Sequence, residues 1–423
     1  MILPGKNRNI YVLVVLLLFS CNTTPVPQPE PESDISEKHK PEITADNINK
    51  SFPETENKQH PDNSGVSQTQ SPDPLEEVRK LLYAGLIQKA RERFREKDAA
   101  ALESGERHFE WALLRGQLYI QSFKAESAGL ADINISRILI DKDDLWIGTW
   151  MGGVSRYSIP LNQYTLFDRG EPSLNVKTVN RIASDGNSII ILTYGNLYIY
   201  NKRSSEILRI NNLPVKEKLQ DYLVFNSRSY LATLGYGLWV KADDEWEKVN
   251  IPDNFITSLG IYNDRYIIVG TINNGVFLYN TVNGSLLNPT EPDFSRMNIT
   301  AFDTDSDNII CGTFGSGAFL WNPNTGITER IVPENFDINW ILSVLVSGKT
   351  VYFATFGNGI TAWNMEKNLW DKISVEEGLV SPDVSSLSVA ARSDNSSNNE
   401  GVLWAGLIGG GFLKIDRGIH GWQ

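Results

Sequence analysis

Three observations predict an all-β fold: a seven-bladed β-propeller, preceded by a short α-helical segment and a disordered N-terminal stalk. Residues 130–420 repeat one unit, a β-rich strand ending in a small residue, then a glycine-bearing turn and an apolar–aromatic strand. The unit recurs seven times at intervals of about 40 residues, the length of a four-stranded blade. Glycine (33) and tryptophan (11) are abundant, as tight turns and aromatic wedges between sheets require.

The repeat anchors run LWIGTWMGGVSRY around Thr149, IILTYGNLYIY around Thr193, YLATLGYGLWV around Thr233 and IIVGTINNGVFLY around Thr271. They continue as IICGTFGSGAFLW around Thr313, YFATFGNGITAW around Thr355 and LWAGLIGGGFLKI, in which Gly406 is read at the Thr position. The long last interval is accounted for by the polar insertion SDNSSNNEG, residues 393–401. Upstream of the anchors lie further strands such as ISRILID, VNRIASD, ITSLGIY, ITAFDTD, ILSVLVS and VSSLSVA, and downstream lie short ones such as EWEKV and LWDKI. One such sheet cannot bury both of its faces, whereas seven packed around an axis can, and few edges stay open. The propeller is assigned to residues 127–423. Its last blade needs an outer strand, which either the GIHGWQ tail or a segment before Ile135 must supply.

These motifs, LWIGTWMGGVSRY most closely, resemble the two-component-regulator propeller repeat (Reg_prop-like) across residues 130–420. The resemblance implies a periplasmic sensing module, which in that family is often followed by a transmembrane helix and a kinase. Neither follows before Gln423, so signalling is expected to run through a separate partner.

Residues 1–20 read as a signal peptide. Lys6 and Arg8 precede an apolar run from Ile10 to Phe19, too short for a spanning helix, which needs about 20 residues. The run ends Leu18-Phe19-Ser20-Cys21, which resembles the bacterial lipobox with Phe19 bulkier than usual. The resemblance implies cleavage before Cys21, acylation of Cys21 with palmitate-type chains, and a lipid anchor. The alternative is an ordinary cleaved signal with an incidental cysteine. Asn22 stands where an aspartate would favour inner-membrane retention, so the cell envelope, and its outer membrane in particular, is the expected location. After Cys21, the stalk to residue 73 holds eight prolines and one aromatic, Phe52, too little apolar surface to offset chain entropy.

Residues 74–126 are assigned to helices. Leu75, Val78, Leu81, Leu82, Leu86, Ala90 and Phe94 recur at spacings of three and four, and a second run holds Phe109, Leu113, Leu114, Leu118 and Tyr119. Gly85, Ile87 and Ala90, with Trp111, Leu114, Gly116 and Tyr119, resemble one tetratricopeptide helix pair. A lone pair cannot stack into a solenoid, so it is expected to pack on the propeller, with a peptide groove as the alternative.

A net charge of −12 argues against nucleic acid and against attraction to anionic headgroups, so membrane attachment falls to the lipid anchor. Cys311, in the apolar NIICGTF, reads as a buried small hydrophobe. The four histidines are His39, His60, His108 and His420, so residues 130–419 contain none. That span therefore lacks the usual general base and the commonest metal ligand, and no Ser-His-Asp arrangement can be assembled there. No catalytic residue, metal ligand or cofactor is assigned, and the chain is read as a non-enzyme. A glycosidase-type carboxylate pair stays open, although no acidic residue recurs on the strands so as to point at the axis. Asp303-Thr-Asp305-Ser-Asp307-Asn308 has the odd-position carboxylates of a calcium loop but lacks its glycine and terminal glutamate, and reads as a turn.

The residues after the anchors are Trp150, Tyr194, Leu234, Ile272, Phe314, Phe356 and Leu407. Trp150, Tyr194, Phe314 and Phe356 are the candidate binding surface, for an envelope protein or a glycan; inter-blade packing is the alternative. The expectation is a lipid-anchored scaffold that binds a protein partner. The alternatives are a carbohydrate-active propeller enzyme and a ligand sensor acting through a separate partner.

Overall fold

The computed structural model describes residues 73, 75–104, 109–123, 130, 132–167, 178–291, 293–333, 337–390 and 402–420. The signal peptide, Cys21, the stalk up to residue 72 and the 393–401 insertion lie outside the described residues.

Seven four-stranded antiparallel sheets make the body, six of them in chain order from the first strand outward, and together they form a seven-bladed β-propeller. The innermost strands are Ile135–Asp141, Val179–Ser184, Leu219–Phe225, Ile256–Tyr262, Ile299–Thr304, Ile341–Ser347 and Val384–Ala390, for blades 1 to 7. All seven carry the same irregularity: the register shifts between their first and third residues. A bulge at a fixed place re-aims the side chains beyond it, so every blade presents its third and fifth residues alike.

The anchor threonines close the turn between the second and third strands. In Thr149 the hydroxyl donates to the Gly153 carbonyl at 3.0 Å and accepts the Gly152 N–H at 2.8 Å. Thr271, Thr313 and Thr355 make the same 2.7–2.8 Å bond to the carbonyl four residues on. Pairing of Val384 with Leu407, equivalent to Ile135 with Thr149, corrects the reading of blade 7: Leu407 holds the Thr position, and Ile408 follows it. Gly406 instead matches Gly148, Gly270 and Gly312.

The ring closes on a strand from ahead of blade 1. Ile120–Phe123 pairs antiparallel with Gly411–Asp416 and is the outer strand of blade 7. Of the GIHGWQ tail, the other candidate for that strand, the described part forms with Arg417 a single 3₁₀ turn, Arg417–His420. The span 74–126 read as helical therefore ends in a propeller strand.

Among the described residues three helices precede it: α1 (Glu76–Tyr83), α2 (Ile87–Ser104) and α3 (Phe109–Tyr119). They pack on the propeller as expected. Leu75, Val78, Ala90, Phe94, Leu114 and Leu118 share one buried cluster with Tyr352, Leu403 and Ile415 of blades 6 and 7. Leu86 (46 % exposed) and Leu113 (43 %) leave that face, while Trp111 joins it. Gly85, at φ +73°, breaks α1 from α2. Arg91 binds the Leu118 carbonyl twice and the Asp416 carboxylate at 2.7 Å, which ties α2 to α3 and to blade 7.

Candidate functional site

Two regions of the propeller hold the candidate residues: the face carrying the turns between second and third strands, and the axial cavity.

On the turn face the backbone ties most residues after the anchors to the residue that precedes their own blade's inner strand. The Phe314 N–H donates to Asn298, the Phe356 N–H to Trp340 and the Trp150 N–H to Asn134. Phe314 also bridges across to Trp340. As a result Phe314 and Phe356 meet through a residue outside the repeat motif. The Trp340 ring stacks on Phe314 at 5.7 Å and 6°, and lies 5.9 Å from Phe356. Trp340 is 46 % exposed, with both flanking rings half-buried. The Trp340 ring thus meets solvent while flanked by two less exposed rings.

The other two candidates stand on blades 1 and 2. Tyr194 is 38 % exposed and Trp150 half-buried, and neither joins a ring stack among the described residues. The seven positions therefore do not form one continuous ring. Sequence reasoning named Phe314 and Phe356 but missed Trp340. Its signal was the dipeptide Asn339-Trp340 just ahead of ILSVLVS, where most blades carry a polar residue.

The axial cavity has a volume of about 560 Å³ and is lined by the inner strands of all seven blades. Third positions supply Arg137, Arg181, Asp221, Ser258, Ser343 and Ser386, and fifth positions supply Asp303 and Ser388. Two acidic residues of the inner strands thus line the axis, Asp221 and Asp303, each the single acid at its position, so none recurs from blade to blade. Asp303 also leaves the turn it was assigned to. The turn is held by Asp305, its Oδ1 accepting the N–H groups of Asp307 and Asn308.

The acidic and hydroxyl groups of this belt bind the next blade. Asp221 accepts the N–H of Leu259 at 2.8 Å, Asp303 that of Val346 at 2.7 Å, and Ser386 and Ser388 those of Ile138 and Ile140. The remaining oxygens of the two aspartates accept the N–H groups of Tyr222 and Thr304. Second positions add donors in the opposite sense: Ser136, Asn180, Thr300 and Ser385 bond the carbonyl that opens the next inner strand. Each such bond contributes about 0.5–1.5 kcal/mol and fixes blade against blade around the axis.

Burial pushes the Asp303 carboxyl up, against the downward pull of the Val346 and Thr304 amides and of the Arg181 charge. Burial lowers Arg137, assisted by the nearby Arg181 charge and opposed by Asp221. Among the described residues no three His, Cys, Asp or Glu side chains come together to hold a metal ion. Cys311 is fully buried, and burial pushes its thiol well above the usual range.

Seven sheets closed around a polar axial cavity by a strand from ahead of the first define the chain as a seven-bladed β-propeller. No family model matches the sequence, and no curated protein matches it. Solved structures share the fold. The chain is similar to the extracellular domain of the hybrid two-component system BT3049 of B. thetaiotaomicron, at 18 % identity and TM-score 0.57, over 70 % of this chain and 41 % of that one. It is similar to that of the one-component system BT4673 of the same organism, at 19 % and 0.58, over 71 % and 40 %. Virginiamycin B lyase of Staphylococcus aureus is similar at 12 % identity and TM-score 0.56, over 70 % of this chain and 98 % of the lyase. The chain thus spans about two fifths of the length of the two regulator domains.

Proposed function

We propose that the chain is an envelope-anchored lipoprotein, held by acylated Cys21, whose propeller is a non-catalytic scaffold for a protein partner. The observation that carries the scaffold reading is the Phe314–Trp340–Phe356 triad on the turn face. Aromatic side chains held rigid at a surface supply large contact area at little entropy cost, and tryptophan is the residue most enriched among binding hot spots. The regulator domains of like fold are extracellular by their descriptions, which fits an envelope location. The absence of histidine from residues 130–419 supports a binding role over catalysis, as does the engagement of both Asp221 and both Asp303 oxygens by backbone amides.

The test is crosslinking of the full chain in intact envelopes, followed by capture, with Trp340→Ala beside it. The parent is expected to yield a defined protein partner that Trp340→Ala loses while retaining its melting temperature. Recovery of the same partner with the variant would place the interaction elsewhere. The anchor is read separately: Cys21→Ser is expected to move the chain from the membrane fraction to the soluble one.

A further inference from the structure

We propose that the axial cavity is a binding site for a small oxyanion, a molecule bearing a carboxylate or phosphate group, recognised by the Arg137–Arg181 pair. The site is distinct from the turn-face triad and uses none of its residues.

The argument starts from how the charges in the cavity are used. Its two carboxylates, Asp221 and Asp303, spend both oxygens on backbone N–H groups. They are fixed parts of the wall. The two guanidinium groups are not spent in this way. Arg137 uses Nε on the Asn180 carbonyl and Nη1 on the Ser136 carbonyl, at 2.9 Å each. Among the described residues Arg181 has one ion pair, from Nε to Asp221 Oδ1 at 3.2 Å. Its Nε–H is not aligned on that carboxylate, and the atom is buried without a hydrogen-bond acceptor. A buried donor of this kind is costly to leave unsatisfied, and a charged one more so.

The two arginines stand at the same position of adjacent inner strands, close enough for the charge of Arg181 to lower Arg137. Like charges placed together in a cavity favour a shared anion, and the guanidinium fork matches the geometry of carboxylate and phosphate oxygens. Across the cavity Ser258 and Ser343 add hydroxyls that can bond the rest of a ligand. The volume suits a small molecule and no more. Val224 and Ile261, exposed residues near the ends of their strands, also line the cavity, which marks an approach from the face opposite the triad.

The experiment is calorimetric titration of the full chain with inorganic phosphate, glucuronate and, as an uncharged control, glucose. Phosphate or glucuronate is expected to bind, with glucose silent, and the source of the oxyanion is read from which of the two binds. Arg181→Gln is expected to weaken binding about tenfold or more, the loss of a charged hydrogen bond. Should that variant fail to fold, Arg181→Lys keeps the charge without the fork and is expected to weaken binding as well. Silence from both anions, glucose binding as well as glucuronate, or anion affinity unchanged in a folded Arg181 variant would each overturn the proposal.

Discussion

Gly148, Gly270, Gly312 and Gly406 occupy one position in the second strand, and each faces the first residue of the next inner strand. A Cβ on Gly312 would stand 2.5 Å from Ile341 Cγ2, and on Gly148 2.6 Å from Val179 Cγ1. The blades approach so closely that an isoleucine or valine fills the space a side chain would need. Gly312→Ala is therefore expected to destabilise the protein by about 1–3 kcal/mol through overpacking, read as a lowered urea midpoint. A midpoint equal to that of the parent would show that the blades give way. At this scale the sequence displayed the recurring threonine because six of the seven blades close this turn with its hydroxyl. It hid the role of the glycine, so that Gly406 was aligned with threonine one place early. Arg137, Arg181 and Asp221 escaped notice because each occurs once or twice at its position. Only aligning the inner strands from their shared bulge puts the three in register.

The helical segment is attached by its buried apolar face and by a small set of buried charges. Arg115 of α3 is buried; it pairs with Asp371 and donates to the Ile419 carbonyl at 2.9 Å. Asp371 also meets His420 Nδ1 at 2.6 Å. Burial alone would raise the Asp371 carboxyl, but the Arg115 charge and the His420 hydrogen bond outweigh it and hold the value down to about 2, from 3.8. The folded state thus binds this proton less readily than the unfolded one. The stabilisation is present above 3.8 and is lost as pH falls toward 2. Arg115→Ala leaves a buried carboxylate without its main cation and is expected to cost about 3–5 kcal/mol. It is also expected to flatten the acid limb of the stability curve below pH 4, read from the environment of buried Trp111. An unaltered acid limb would show that Asp371 is held by other groups. Gly116 lies so close to the loop after the outer strand of blade 6 that a Cβ there would land on the Glu377 carbonyl, which shows how closely α3 is seated. The 3.6-residue spacing revealed the helices, but Leu86 and Leu113 follow that pattern without being buried. Spacing reports which residues share a face, whereas the partner surface decides how much of the face is covered.

At the scale of the whole molecule, the ring depends on four residues that the sequence disguises. Six blades take all their strands from consecutive chain, which is why seven repeats could be counted. The seventh borrows Ile120–Phe123, a segment that follows Tyr119 of α3 without a turn signal and continues its apolar pattern. Local preference could not separate strand from helix there, because the strand exists only through its pairing with Gly411–Asp416. Phe123 adds a 4.8 Å stack on Phe412 and lies near Tyr157 of blade 1, so the closing strand also joins the first blade to the last. Replacing Ile120–Phe123 by Gly-Ser-Gly-Ser keeps the chain length and the helices but removes these contacts. The Gly411–Asp416 strand then becomes an open edge, a template for pairing with another chain. The replacement is expected to lower the melting temperature and to shift the protein toward dimers or larger species in analytical ultracentrifugation. A replaced chain that melts with the parent and sediments as it does would mean that belt bonds such as Ser386 to Ile138 hold blade 7 in the ring by themselves.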